Sequence, residues 1–239
     1  MVVAAANLPA DSLYGLADTA IQRADDGLAL RAEAMAAFRA LQADAAAAGF
    51  RIACVSSYRD FQRQLLIWNA KARGTRAVRD DGDAVLDMAA LTPWERVQAI
   101  LRFSALPGAS RHHWGTELDV YDAAAVAENY RPSLSRAEAN GPFAPLYGWL
   151  AARIDRGQAR GFFRPYAADR GGVAPEPWHL SYAPLACTLQ QTWSGERLRE
   201  LLMGVDMAER DTVMAHWPEI VARYIDVPRA LWPRDQGGA

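Results

Sequence analysis

Three of the four histidines in this chain of 239 residues lie in two short segments that also carry acidic side chains. The first segment, residues 110–119, reads SRHHWGTELD, and the second, residues 176–179, reads EPWH. A catalytic zinc site needs three protein ligands, drawn here from histidine and carboxylate, and an open position for water. It also needs a carboxylate outside the ligand set to take the proton of that water. The two segments contain all of these groups and predict a catalytic metal centre.

The spacing within the first segment restricts how it folds. His112 and Asp119 are seven residues apart, a span of about 23 Å in an extended chain. Because two zinc ligands each lie about 2 Å from the metal, the chain must fold back between them. Gly115 is placed to allow that turn. Neighbouring residues of an extended chain point in opposite directions, so we expect only one of His112 and His113 to face the metal.

The second segment differs from the helical His-Glu-x-x-His arrangement of many zinc peptidases, because Pro177 argues against a helix interior. We expect Glu176 and His179 at a loop-to-strand junction, with Glu176 reaching the water on the metal. Each segment taken alone has a simpler explanation, as a surface or core patch or as the edge of a strand. The fourth histidine, His216, lies beside Trp217 in a helical pattern, and we expect it to be structural.

Composition excludes several classes of protein. Hydrophobic residues make up 51% and charged residues 23%, which is typical of a globular chain. The net charge of -2 argues against a general nucleic-acid binder. The two cysteines, Cys54 and Cys187, are too few for a disulfide scaffold or a Cys-rich metal site, and we interpret them as small apolar residues. No run of about 20 apolar residues predicts a membrane span. Residues 1–7 lack a basic leader, which predicts a cytoplasmic protein, or a periplasmic one if a signal has been removed.

The elements around the two segments combine helices with short strands. Apolar spacing predicts helices over residues 28–48, 61–72, 92–101 and 143–150, and strands over residues 51–56, 118–121, 162–166 and 178–182. The charged stretch 74–87 is predicted to be an exposed loop. Such a pattern is typical of an α+β fold, with a small antiparallel sheet that carries the zinc site and helices that flank it.

We predict one domain with additions at both ends. Residues 1–50 form N-terminal helices, residues 51–190 the catalytic core, and residues 191–239 a C-terminal helical extension. Thr92 with Glu95 predicts a helix start, and so do Asp206 and Glu209.

Together with a third motif, the two segments resemble a known family. Ser-x-His-x-x-Gly-x-x-x-Asp at 110–119, followed by Glu-x-x-His at 176–179, is similar to the zinc site of VanY-type D-alanyl-D-alanine carboxypeptidases. These belong to a wider group of lysostaphin, D-Ala-D-Ala peptidase and hedgehog-like domains. Ser-Ser-Tyr-Arg at 56–59, with Gln64, is similar to an upstream motif of that family. The three motifs occur in the family's order within residues 51–185, so the resemblance is specific.

The resemblance implies a role for each matching residue. One zinc ion would be bound by His112, Asp119 and His179. Glu176 would be the general base, and then the acid that protonates the leaving amine. Arg59 would hold the substrate carboxylate or the developing oxyanion, and it cannot serve both equally well; its simpler alternative is an ion pair at the start of a helix. The expected substrate contacts are Ser110, Tyr58 and Gln64, to which we add Trp178.

One position departs from the family pattern. Two residues before the aspartate ligand the family usually has alanine, whereas this chain has Glu117. By strand alternation Glu117 shares a face with Asp119. It either adds negative charge near the metal or is solvated at the start of the strand.

We therefore expect a zinc-dependent carboxypeptidase that removes a terminal D-Ala from peptidoglycan stem peptides or muropeptides, with D,D or L,D specificity. One alternative is an endopeptidase that cuts peptidoglycan cross-links in an open groove. Another is a non-catalytic zinc-containing domain that binds cell-wall fragments, against which the presence of Glu176 argues. A serine hydrolase built on Ser110 is disfavoured, because the Gly-x-Ser-x-Gly turn is absent.

Overall fold

Helices and short antiparallel strands alternate irregularly along residues 10–233, the part of the chain that this computed structural model describes. The strands are β1 (Gln22–Arg23), β2 (Ala29–Leu30), β3 (Ile52–Ser56), β4 (Glu117–Asp122), β5 (Phe162–Phe163) and β6 (His179–Tyr182). The helices are α1 (Ala32–Ala47), α2 (Phe61–Ala72), α3 (Pro93–Leu101), α4 (Arg136–Asn140), α5 (Ala144–Asp155), α6 (Ala183–Thr192), α7 (Gly195–Met203), α8 (Arg210–Ala215) and α9 (Trp217–Ile220). The predicted α+β class is confirmed.

The central sheet has the strand order β3-β4-β6-β5, and every pair in it is antiparallel. Side chains alternate between the two faces of a strand. Leu118 and Val120 of β4 therefore pack into one apolar core, which the sheet shares with α1 and α5. Glu117 and Asp119 lie on the opposite face of the same strand.

A second apolar core lies among the helices α2, α3 and α6–α9. Trp68 at its centre is fully buried, and the indole Nε1 donates a hydrogen bond to the Ala208 carbonyl at 2.8 Å. Trp114, just before β4, belongs to the same core. The polar face of the sheet therefore borders the helices of this second core, several of which belong to the C-terminal extension.

The prediction of helices over residues 1–50 is wrong for residues 10–31. A 3₁₀ turn at Ala10–Tyr14 is followed by the hairpin β1–β2. Gly27 has φ +84°, and the Ala24 N–H bonds to the Leu28 carbonyl, so a glycine turn reverses the chain where a helix was expected. Residues 1–9, on which the leader prediction depends, lie outside the described part of the chain.

Several element ends follow local signals. Gly49 at φ +89° follows α1, and Thr92 and Glu95 form the predicted capping box of α3. The helix start predicted from Asp206 and Glu209 is misplaced, because α8 begins only at Arg210 and Glu209 precedes it with φ +59°. The Glu209 side chain caps no backbone N–H of α8 and instead accepts a hydrogen bond from the Thr212 hydroxyl at 3.3 Å. Helix α6 begins at Ala183, eight residues before the predicted extension. Within residues 10–233, none of the helices has the length and hydropathy to cross a bilayer.

Candidate metal centre

The three predicted ligands are brought together by the sheet and the turn before it. In the register of the sheet, Asp119 on β4 lies directly opposite His179 on β6. His112 lies in the 3₁₀ turn Arg111–Trp114, which ends at Gly115 with φ +67°. This left-handed residue turns the chain into β4, as the spacing of His112 and Asp119 requires.

The donor atoms of the three side chains all lie within 4.8 Å of one another. The Oδ2 of Asp119 is 3.2 Å from His112 Nε2, and its Oδ1 is 3.1 Å from His179 Nδ1. A tetrahedral zinc ion with bonds of about 2.0–2.1 Å places its ligand atoms roughly 3.3 Å apart. The two histidines and one carboxylate therefore fit a single zinc ion, with a position left for water or substrate.

Hydrogen bonds to the far nitrogen of each ring fix which nitrogen faces the metal position. Nδ1 of His112 donates to the Ser57 carbonyl at 2.8 Å, which leaves Nε2 toward Asp119. Nε2 of His179 donates to Glu117 Oε2 at 2.9 Å, which leaves Nδ1 toward Asp119. Partners of this kind orient metal-binding histidines and increase their basicity.

Glu117 is fully buried, so of the two alternatives for this residue the solvated position at the start of the strand is wrong. Its Oε1 accepts a hydrogen bond from Ser181 at 2.7 Å and lies 3.2 Å from Nη2 of Arg111. Burial alone would raise the pKa of Glu117, but the Arg111 charge and the His179 bond lower that pKa to about 2. Glu117 is therefore an ionised partner of His179.

Arg111 connects this carboxylate to the C-terminal extension. Its Nη1 donates to Gln190 Oε1 at 2.8 Å. The guanidinium carbon lies 4.6 Å from the ring centre of Trp114 and 5.2 Å from that of Trp232. Residues of α6 and of the chain beyond α9 thus hold the cation that neutralises Glu117.

Glu176 reaches the metal position from the segment before β6. Its backbone N–H is held by the Tyr166 carbonyl at 2.9 Å, and β6 begins three residues later, as expected for a loop-to-strand junction. Glu176 Oε2 is 3.6 Å from His179 Nδ1. Burial raises the pKa of Glu176 to about 8, and the Lys71 and Arg59 charges act in the opposite direction. A carboxyl group with this pKa can both accept and return a proton near neutral pH.

The other two histidines have different surroundings. Nε2 of His113 accepts a hydrogen bond from the Gly108 N–H at 3.0 Å, and Nδ1 donates to the Arg59 carbonyl. Burial lowers the pKa of His113 to about 3, so this ring is a neutral tie between loops. His216 stacks on Trp94 with a ring-centre distance of 3.9 Å.

Arg59 lies in the same cleft as the metal position. Its Nη1 donates to Gln64 Oε1 at 2.7 Å, and its Nη2 donates to Ser56 Oγ at 2.8 Å. Among residues 10–233 it has no carboxylate partner, so the ion pair considered as its alternative is not formed. Gln64 is fully buried and also donates to the Ala105 carbonyl at 2.6 Å. Gln64 therefore positions Arg59 and does not line the cleft.

The cleft has a volume of about 300 Å³. Two of the predicted substrate contacts, Ser110 and Trp178, line it beside the ligands. Tyr58 is not among the residues that line it. The Tyr58 ring faces Arg23, with the guanidinium carbon 5.9 Å from the ring centre. The position of Tyr58 does not favour the predicted substrate contact.

Tyr166 and Lys71 are among the lining residues that the sequence did not indicate as part of the site. Tyr166 places its ring 5.1 Å from the ring centre of His179, and no local pattern indicates this. Lys71 lines the cleft from α2, seven residues after Gln64 and therefore on the same side of the helix. It is the one lysine among the 26 lysine and arginine residues of the chain, and this singularity could have drawn attention to it from the sequence alone.

Comparison with known proteins supports the motif analysis. The model of the family described as VanY, D-alanyl-D-alanine carboxypeptidase, matches residues 27–185. Two relatives from Haemophilus influenzae, both described as uncharacterized proteins, are also similar. One is 52% identical over 77 residues, which cover 32% of this chain and 53% of that protein. The other is 32% identical over 124 residues, which cover 50% of this chain and 92% of that protein.

Two solved structures share the fold. One is VanYB in complex with D-alanine-D-alanine, with a TM-score of 0.51 and 21% identity over 80% of this chain and 90% of the other. The second is a variant of the vancomycin resistance D,D-pentapeptidase VanY with Zn(II), with a TM-score of 0.53 and 21% identity over 80% and 97% of the two chains. The family model matches residues 27–185, which are well over half of this chain, and the chain therefore belongs to the VanY family of D-alanyl-D-alanine carboxypeptidases.

Proposed function

We propose that this protein is a zinc-dependent carboxypeptidase that removes a terminal D-Ala from peptidoglycan stem peptides or muropeptides. The observation that carries the proposal is the group formed by His112, Asp119 and His179, with the Glu176 carboxylate 3.6 Å from one of the ligand atoms. This is the donor set and the additional base that hydrolysis at a zinc ion requires.

A zinc ion held by the three ligands would supply Lewis-acid activation of water and of the scissile carbonyl. Glu176 would accept a proton from the attacking water, as the new C–O bond forms at the carbonyl carbon. The same carboxyl group would then give this proton to the amine nitrogen, as the C–N bond breaks. The raised pKa of Glu176, about 8, suits both transfers.

Arg59 supplies a fixed positive charge beside the reacting groups. Its bonds to Gln64 and Ser56 use neutral acceptors, so its charge is available to a substrate carboxylate or to the developing oxyanion. A preorganised donor of this kind is commonly worth about 2.7–4 kcal/mol in the transition state. A peptide with a free terminal carboxylate matches such a cleft better than an uncharged internal segment does, which favours the carboxypeptidase over the endopeptidase.

Glu176 also distinguishes an enzyme from a binding domain. Its carboxylate is buried, yet within residues 10–233 it accepts no hydrogen bond, and His179 is the one basic side chain within 4.0 Å of it. A buried carboxylate without hydrogen bonds is costly, so a domain that only binds wall fragments gains nothing from it. A relative of the same fold was solved with D-alanine-D-alanine, which supports the proposed class of ligand.

The decisive experiment is digestion of purified pentapeptide and tetrapeptide muropeptides by the zinc-loaded protein, followed by mass spectrometry. We expect loss of one alanine from one of the two substrates, and no loss with Glu176→Ala at equal zinc content. Loss from the pentapeptide identifies D,D specificity, and loss from the tetrapeptide identifies L,D specificity. Cleavage of cross-linked dimers without release of alanine would instead establish the endopeptidase. Binding without turnover, unchanged in Glu176→Ala, would establish the wall-fragment binder.

A further inference from the structure

The single lysine of the chain lies half-buried in the metal cleft. All the other lysine or arginine positions of the chain are arginine, so its one lysine is a residue that lines the cleft of the metal position. Arginine offers a broad planar fork, whereas lysine is a compact point charge with three rotatable donors. A compact cation in a cleft of about 300 Å³ leaves room for a ligand next to it.

The Lys71 side chain is not tied to its neighbours in the cleft. Within residues 10–233 its ammonium group forms neither a hydrogen bond nor an ion pair. Glu176 interacts with Lys71 through its charge but forms no ion pair with it among the described residues, and two other acidic side chains of the cleft wall are occupied by backbone donors. Asp80 accepts from the N–H groups of Gly82 and Ala84, and Asp83 accepts from those of Arg136 and Ala137. The positive charge of Lys71 is therefore left for a ligand.

The backbone that carries Lys71 is fixed by the C-terminal extension. Asn69 donates to the Asp206 carbonyl at 2.9 Å and accepts from the Ala208 N–H at 2.8 Å. The neighbouring Trp68 donates to the Ala208 carbonyl. These bonds hold the last turn of α2, so the start of the lysine side chain is held in place before a ligand arrives.

We propose that Lys71 binds the C-terminal carboxylate of the peptide substrate and leaves Arg59 to stabilise the oxyanion. This inference rests on the proposed carboxypeptidase function. One arginine cannot bind both the substrate carboxylate and the oxyanion, so the two anions are assigned to two different cations. The leaving residue is a single D-Ala, so its carboxylate lies only one residue from the bond that is cut. The two cations line one cleft with Glu176 and the three ligands, as this arrangement requires.

The first test compares a peptide with its C-terminal amide, using whichever of pentapeptide and tetrapeptide the wild type cleaves. With zinc-loaded wild type we expect a strong preference for the free acid. Lys71→Met should raise KM for the acid about 10- to 100-fold, as expected when a charged hydrogen bond is lost. It should leave KM for the amide and the zinc content unchanged, so that the preference collapses. Arg73→Met is the matched control, because Arg73 is exposed on the same turn and pairs only with Asp206.

The outcomes separate the two levels of the proposal. If Lys71→Met keeps the wild-type preference for the acid, the role of Lys71 is refuted while the carboxypeptidase stands. The same holds if Arg59→Met, and not Lys71→Met, abolishes the preference. If the zinc-loaded wild type cleaves neither peptide, the proposed function itself fails.

A second test needs no change at Lys71. Because the chain has one lysine, an acetylating reagent meets only two amines, the Lys71 ammonium and the α-amino group. Burial and the neighbouring Arg76 and Arg59 charges lower the pKa of Lys71 to about 8, so it reacts at mild pH. In zinc-loaded Glu176→Gln protein, which prevents turnover, the peptide that the wild type cleaves should slow acetylation of Lys71 but not of the α-amino group. The C-terminal amide of the same peptide should protect less. Equal protection by acid and amide, or none by the acid, would overturn the assignment.

Discussion

The two faces of the central sheet are equally buried but chemically opposite. Leu118 and Leu180 on one face are fully buried in an apolar core. Glu117 and His179, their neighbours in sequence, are almost as completely buried on the other face, where they bond to each other. The same strands thus bury a hydrocarbon surface on one side and charged groups on the other.

This difference shows how stability and function are divided. Burial of apolar side chains on the first face stabilises the fold by about 1.5–3 kcal/mol for each large residue. Burial of charged groups on the second face is unfavourable unless each is paired. Paired carboxylates and a bound cation would offset that cost, so the second face is built for binding. Substitutions on the two faces should therefore have opposite effects on activity and stability.

Glu176→Gln should give the largest functional effect and no loss of stability. We expect kcat/KM to fall by about 10³-fold, within the usual range for removal of a general base. The melting temperature should stay the same or rise, because a buried carboxyl group is replaced by a neutral amide. Steady-state kinetics and calorimetry at equal zinc content test this. A variant that lost zinc or unfolded early would contradict the division between the faces.

Leu118→Ala should show the reverse pattern. Loss of a fully buried leucine side chain is expected to lower the free energy of unfolding by about 2–5 kcal/mol. Because Leu118 points away from the cleft, kcat/KM of the folded, zinc-loaded fraction should remain near wild type. Denaturant unfolding and kinetics well below the melting temperature measure the two quantities. A large loss of kcat/KM in fully folded protein would show that the faces are coupled.

Glu117→Gln should weaken metal binding, with little change in the fold. Replacing the ionised acceptor of His179 Nε2 with an amide is expected to raise the zinc dissociation constant about 10- to 100-fold. Competition with a chelator measures this constant. Ser181→Ala is the matched control, since Ser181 bonds to Glu117 but not to a ligand, and it should have a smaller effect. Equal effects in both variants would mean that general packing, and not the His179 bond, is responsible.

The smallest effect concerns pH. The Lys71 charge lowers the pKa of Glu176, so Lys71→Met should raise it. In its proposed role Glu176 accepts a proton only when it is ionised, so the acidic limb of kcat/KM should move to higher pH, by roughly one unit or less. Arg73→Met should leave the limb in place. A shift to lower pH in Lys71→Met would contradict the sign of this charge effect.

The sequence predicted what local patterns encode. Motif order predicted His112, Asp119, His179 and Glu176 as one group, and the structure brings the donor atoms of the first three within 4.8 Å of one another. The capping box at Thr92 predicted the start of α3 correctly. The hairpin before α1 was missed because a two-residue strand has too little alternation to be detected. Local spacing also could not show that α6 begins before residue 191.

The surroundings of the ligands were less predictable than the ligands themselves. The pKa of Glu117 is lowered by the Arg111 charge, and Arg111 is held by Gln190 and Trp232, which are far away in the sequence. Such contacts arise only when the C-terminal extension has packed against the sheet. The charge state of Glu117 is therefore a property of the tertiary structure.

The direct pairing of Asp119 with His179 makes metal binding dependent on the register of β4 against β6. If β4 shifted by one residue relative to β6, every side chain of the strand would exchange faces, and Leu118 would take the place of the aspartate. A chain with slipped strands would have no metal site, however compact it was. The zinc content per chain after refolding would therefore count the molecules whose strands have paired correctly.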